Sequence, residues 1–284
     1  MGTLSNTTDH ETLKADVNDP TPFPEYQRVI YERTPLEFVI CQVKFLPVLR
    51  IETDQQLMAA FQDALRADYP MFRQVTGFSG AESTPPEVSK WLGAMVPAGF
   101  FGNLLAFTSE DGSWEVTLTR DSLALTTKKY SRWEEFRNRL QRLIGCLQHE
   151  YTPPYFVRLG LRYRDVIRRT SLGLKDVGWS ELLNSDMAGE FHSSVSTYIQ
   201  HVYRQLVLKL PREAAYVTIN HGLIPTIEEP CYFFDSDFAT SQRTEINDAI
   251  GILNYFNRQS GRLFRWCIAN RLHEAMGPRP VQLS

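Results

Sequence analysis

The chain has 284 residues, of which 43% are hydrophobic and 12% aromatic, and its formal net charge is −3. This length and composition are typical of a globular protein with a substantial apolar core, which excludes a chain that is disordered throughout. No apolar run approaches the roughly 20 residues that span a bilayer, so the sequence excludes a membrane-spanning helix and predicts no membrane partner.

Residues 1–24 are predicted to form a flexible leader. The first 20 residues are polar and acidic and lack the apolar segment of a secretion signal. The cysteines lie far apart in the sequence, without the close pairs of zinc or redox motifs, at Cys41, Cys146, Cys231 and Cys267. This spacing favours reduced, buried thiols, a cytoplasmic location and no cofactor.

Residues 25–167 are predicted to form a first α+β half. Apolar residues at every second position predict strands at 35–45, 103–109, 114–119, 123–128 and 156–167. Thr53 and Gln56 have the spacing of a capping box and predict a helix that ends before Pro70. A second helix is predicted between Ser131 and Pro153, and residues 74–100 are predicted to be a long loop.

Residues 168–277 are predicted to form a second α+β half, followed by a tail at 278–284. Strands are expected at about 198–210, 215–221 and 231–238, and a helical region at about 243–276 with a kink at Ser260-Gly261. The sequence therefore predicts an α+β fold of mainly antiparallel strands with core-facing helices. The two halves are either similar duplicated units or two parts of one sheet.

Four separated segments resemble one prokaryotic family. In chain order they are PLEFVICQVKF, RLGLRYRDVI, CYFFDSDF and LFRWCIANRLHEAMG, and together the resemblance extends from about residue 25 to residue 277. The family is the one described as "sporadically distributed protein", with members of about this length. Its members have no assigned activity, ligand or catalytic residue, so the resemblance implies no chemistry. Their patchy occurrence implies an accessory gene, such as those of mobile or defence loci.

Asp235 and Asp237 are candidate metal ligands. They lie two residues apart on a predicted strand, so both carboxylates point to one face, about 7 Å apart at their Cα atoms. Two carboxylates on one face can hold a divalent metal for hydrolysis, with His221 or Glu245 as a further ligand. The alternatives are that these aspartates form ion pairs with arginines of a neighbouring strand or cap the following helix.

Residues 120–169 are strongly basic, with ten arginines and two lysines against five acids. A surface for nucleic acid or another anionic ligand would use seven of these side chains. They are Arg158, Arg162, Arg164, Arg139, Arg142, Lys128 and Lys129. The alternative is a scaffold in which the arginines are neutralised by acids of the same chain.

The leading functional prediction is a non-catalytic binding or interaction protein of an accessory prokaryotic locus, acting with a protein partner or as a homo-oligomer. The sequence contains no G-x-S-x-G, Walker-type or G-x-G-x-x-G motif, which argues against common hydrolase and nucleotide-binding machinery. Tyr255 and Trp266 lie off the apolar stripe of the last helix, where they either serve an interface or pack within the chain. Nucleic-acid or anion binding and metal-dependent hydrolysis are the two alternatives.

Overall fold

The computed structural model describes residues 20–76 and 103–281. Most of the predicted leader, most of the predicted loop at 74–100 and the last three residues of the tail lie outside the described residues. The fold is α+β, as the sequence predicts. No helix in the described part of the chain has the length and apolar character needed to cross a membrane.

The described strands are antiparallel to their neighbours. They are β1 (Val29–Tyr31), β2 (Leu36–Phe45), β3 (Met71–Thr76), β4 (Asn103–Thr108), β5 (Trp114–Thr119), β6 (Ser122–Thr127), β7 (Phe156–Ile167), β8 (Arg204–Lys209), β9 (Tyr216–Ile224), β10 (Cys231–Thr240) and β11 (Pro278–Pro280). Nine of them form one sheet in the order β3-β4-β5-β6-β2-β7-β10-β9-β8, and β1 pairs with β11. Both halves of the chain therefore contribute to one sheet, because β2 and β10 flank β7.

The described α-helices accompany this sheet. They are α1 (Arg50–Thr53), α2 (Gln55–Leu65), α3 (Trp133–Tyr151), α4 (Trp179–Leu182), α5 (Ser185–Ala188), α6 (Ala249–Cys267) and α7 (Asn270–Ala275). The two long helices, α3 and α6, cover one face of the sheet, which we call the helix face. Phe136 of α3 packs on Trp114 of β5, and Asn257 of α6 bonds to Tyr163 of β7. We call the opposite side the outer face.

The alternation of residues in β7 explains this division. Leu159, Leu161 and Tyr163 point to the helix face and belong to the main apolar core, which includes residues from both halves. Arg158 and Arg162 occupy the alternate positions of the strand and therefore point to the outer face. The period of two thus predicts both the strand and the separation of its apolar and charged sides.

Two predicted details of the helices were wrong. Helix α2 is capped by Asp54, whose carboxylate accepts hydrogen bonds from the N–H groups of Gln56 and Leu57, and not by Thr53. Ser260-Gly261 lies inside the continuous helix α6, and the helical region is interrupted at Ile268 instead. Ile268 is extended there because its backbone forms a bridge with Leu183.

Candidate functional site

A network of arginines and acids occupies the outer face at the centre of the sheet. Arg162 donates to both carboxylate oxygens of Asp235, from Nε at 2.6 Å and from Nη2 at 2.7 Å. Arg164 donates to the same carboxylate at 3.2 Å. The side chain of Asp235 is only 4% exposed, so its charge is compensated by two guanidinium groups rather than by water.

The network continues on both sides of this pair. Arg158 bonds to Asp237 at 3.0 Å. On the other side, Glu37 accepts hydrogen bonds from Arg164 at 3.2 Å and from Arg168 at 3.1 Å. Glu37 lies at an irregularity in the register between β2 and β7, which allows it to reach these arginines.

The network pairs with each other the charged side chains that the predicted metal site and the predicted anion-binding surface both require. Asp235 and Asp237 are paired with arginines of β7, the neighbouring strand, which is one of the alternatives that the sequence leaves open. Because the guanidinium groups of Arg158, Arg162 and Arg164 contact these carboxylates, an incoming anion would have to compete with bonds already formed.

His221 is separated from the two aspartates by the sheet. It lies opposite Phe234 in the register of β9 and β10, stacks on that ring and bonds through Nδ1 to the hydroxyl of Tyr232 at 2.8 Å. Neighbouring residues of a strand point to opposite faces, so His221 is on the helix face while Asp235 is on the outer face. Within 20–76 and 103–281, no group of three or more His, Cys, Asp or Glu side chains could hold a metal ion.

The remaining predicted anion-binding residues lie in two other places. Arg139 and Arg142 project from helix α3 towards Asp68, at 3.9 and 3.0 Å, beside a pocket of about 340 Å³. Lys128 and Lys129 follow the end of β6. The seven predicted basic residues therefore do not form one continuous surface.

The two aromatic residues proposed for an interface pack within the chain. Tyr255 is 2% exposed, and its hydroxyl donates to the backbone carbonyl of Pro20 at 3.3 Å. The ring of Trp266 lies 6.0 Å from that of Phe23. Both rings thus hold the segment at 20–23 against helix α6; Tyr255 is buried, whereas Trp266 is half-buried.

A cleft of about 2060 Å³ lies on the helix face, between helix α6, the start of α3 and the segment around β1. Its walls include the aromatic rings of Tyr31 and Phe264, whose centroids are 6.0 Å apart, and the side chain of Leu36. Asp165 of β7 also lines it. The cleft therefore combines an apolar and aromatic wall with several charged side chains, among which Asp165 is the buried carboxyl group. This is a common composition of ligand sites.

Asp165 is the most unusual group of this cleft. It is only 9% exposed, and its side chain forms no hydrogen bond or ion pair with the described residues. Burial raises the pKa of Asp165 to about 8, and the nearby negative charges of Asp235 and Glu37 contribute to this increase. A buried acid normally has a hydrogen-bond or ion-pair partner, so this one marks a place where a partner from outside the chain would be stabilised.

No family model matches the chain, and no curated protein matches it. The candidate site is therefore defined by its geometry alone.

The sequence prediction missed Asp165, although a signal was present. Leu159, Leu161, Tyr163 and Asp165 have the same parity in β7, so the acid follows three core residues on the same face. An acid in phase with an apolar stripe is expected to be buried. The predicted arginine face consists of the residues of the other parity in this strand.

Proposed function

We propose that this protein is a non-catalytic binding protein that holds a cationic ligand in the cleft, with the carboxyl group of Asp165 as its anchor. The single observation that carries the proposal is the position of this carboxyl, which is buried, has no partner among the described residues and lines a cleft. A ligand with an ammonium or amidinium group would supply the missing partner. The proposal thus adds a site, the cleft at Asp165, and a ligand class, organic cations, to the sequence prediction of a binding protein.

The surroundings of Asp165 favour a cation over an anion. The charged groups that most affect its pKa are the acids Asp235 and Glu37, so the local field is negative. The rings of Tyr31 and Phe264 can contact the apolar part of such a ligand, and an aromatic face also attracts a cation. Eight arginines line the cleft as well, including Arg265, but none of them is among the charged groups that shift the pKa of Asp165.

The same surroundings favour binding over catalysis. A general acid or base works with a nucleophile or a second titratable group within hydrogen-bond reach. Asp165 has no such contact among the described residues. Tyr31, the titratable side chain on β1, instead bonds to His273 at 2.7 Å. Cys267 of α6 is buried, and burial raises the pKa of its thiol, which disfavours the nucleophilic thiolate.

The setting of the protein is part of the proposal. All four cysteines are free thiols, and three of them are buried, which supports a reducing, cytoplasmic location. The resemblance to the "sporadically distributed protein" family supports an accessory prokaryotic locus as the gene context. Nucleic-acid binding and metal-dependent hydrolysis receive less support, because the arginines and aspartates that they require are paired with each other.

The test compares benzylammonium with the neutral benzyl alcohol and the anionic benzoate, measured by thermal unfolding shifts and calorimetric titration. We expect only benzylammonium to bind, and its affinity to rise from about pH 6 to about pH 8, because Asp165 ionises in this range while the ammonium group of the ligand stays protonated. The other groups that affect this titration are Glu37 of β2 and Asp235 of β10. Arg265 of α6 acts on the neighbouring Tyr31. Tyr31 of β1 also lies in this environment.

Two variants make the test specific. Asp165→Asn keeps the size of the side chain and removes its charge, so we expect benzylammonium binding to be lost. Asp248→Asn removes an exposed carboxylate that also lines the cleft, and binding should persist. Equal binding of the cation and the alcohol, or undiminished binding by Asp165→Asn, would contradict the proposal.

A further inference from the structure

Strand β8 forms one edge of the nine-stranded sheet, and the polarity of its residues is symmetric about Val207. Among the described residues it pairs with a strand on one side only, namely β9. An edge strand directs alternate backbone N–H and C=O groups outward, where they can pair with another strand. Residues 205–209 read Gln-Leu-Val-Leu-Lys, so a polar residue, a leucine, a valine, a leucine and a polar residue follow one another around Val207.

The side chains of β8 are incompletely covered. Val207 is 57% exposed on the outer face. Leu206 and Leu208 point to the helix face, where they contact the main core but remain half-buried. Core-facing leucines at a sheet edge would be buried further if another strand were added beside them. Within the described part of the chain, the edge thus has both outward backbone groups without a strand partner and incompletely covered apolar surface.

We propose that β8 pairs with β8 of a second copy of this chain, in an antiparallel arrangement with the two-fold axis at Val207. In this register Val207 lies opposite its own copy, Leu206 lies opposite Leu208, and Gln205 lies opposite Lys209. Every pair is therefore apolar with apolar or neutral with charged, and no like charges face each other. The two sheets become continuous, and the helix faces of both copies lie on the same side.

The charge at the end of the strand favours this register. Arg204 is held by Glu190 at 2.9 Å, so its charge is already compensated within the chain. Because Lys209 lies opposite Gln205 of the other copy, the two Lys209 residues are four positions apart along the paired strands, a separation of about 13 Å. A symmetric edge pairing of this kind is isologous and closes as a dimer, without leaving the same edge open for further growth.

The first test is the mass of the protein in solution, measured by light scattering and sedimentation over a wide concentration range. We expect a dimer for the unaltered chain and a monomer for Val207→Lys, which would place two lysines directly opposite each other at the axis. Met71→Lys is the matched control, because Met71 is also 57% exposed but lies on the opposite edge strand, β3. This control should remain dimeric. A monomeric unaltered chain, or a dimeric Val207→Lys variant, would overturn the proposal.

The second test determines the register. Directly opposed residues of antiparallel strands have Cα atoms about 4.5 to 5.5 Å apart, which is within the range that a disulfide bridges. We therefore expect Val207→Cys to form a cross-linked dimer on mild oxidation. Gln205→Cys lies on the same strand and face but would be about 13 Å from its copy, so it should not cross-link. Equal cross-linking of both variants would refute the register at Val207.

Discussion

Asp165→Asn is expected to change how the stability of the protein depends on pH. In the folded protein the pKa of Asp165 is raised from 3.8 to about 8, first by burial and then by the nearby acids. Between these two values the native state keeps a proton that the unfolded chain has released. The stability contributed by the protonated carboxyl is therefore complete below about pH 4 and is lost as the pH rises through about 8.

The size of the effect follows from this pKa difference. A group that is protonated in one state and ionised in the other changes the free energy of unfolding by about 1.4 kcal/mol per pH unit. From about pH 5 to about pH 7 the unaltered protein should therefore lose roughly 2 to 3 kcal/mol through Asp165. Asparagine has a similar shape and does not ionise, so the variant should escape this loss and become the more stable protein at neutral pH.

The assay is urea unfolding followed by circular dichroism, at several values from about pH 5 to about pH 8 and at one fixed protein concentration. The informative quantity is the difference in free energy of unfolding between the two proteins, because all other titrating groups cancel in it. Asp176→Asn, at an exposed loop position, is the control and should follow the unaltered protein. A difference for Asp165→Asn that stays constant with pH would refute the reasoning.

Two further substitutions test the sheet itself. Asp235→Ala should lower the free energy of unfolding by about 3 kcal/mol, because it leaves the guanidinium of Arg162 without its bidentate partner. Glu245→Ala, at an exposed ion pair, should change it little, and a similar loss in both would argue against a special role of the network. Gly222→Ala should cost at least about 1 kcal/mol, because the added Cβ would lie 1.9 Å from the carbonyl oxygen of Val202. An unchanged free energy of unfolding, together with unchanged hydrogen exchange in β8, would show that Gly222 does not lie this close to the carbonyl oxygen of Val202.

The limits of the sequence prediction are clearest in β7 and β10. The alternation of apolar and charged residues predicts both strands, because a period of two depends only on the local backbone. It does not show that β10 lies beside β7, since their pairing joins residues 65 to 81 positions apart, such as Asp237 and Arg162. The sequence therefore left three roles open for the aspartates: metal ligands, partners of arginines, or caps of the following helix. Strand order brings the arginines within bonding distance.

The terminal helical region shows the same limit. Apolar spacing predicts a helical region at 243–276, and the structure has helices α6 and α7 within it. The break at Ile268 depends on Leu183, a residue far away in the sequence whose backbone forms a bridge with it. Asn184 reinforces this contact by donating to the backbone carbonyl of Trp266 at 2.8 Å. Gly261 therefore does not interrupt the helix, whereas tertiary hydrogen bonds at its end do.

The sequence by itself determined the α+β class, most of the strands and the two long helices, because these follow from local periodicity and composition. Tertiary structure decided that both halves share one sheet, that the charges of its outer face neutralise each other, and that Asp165 lines a cleft without a partner among the described residues. These properties depend on which strands are neighbours and on what covers each face. Local patterns do not encode either of them, because both arise from contacts between segments that are distant in the chain.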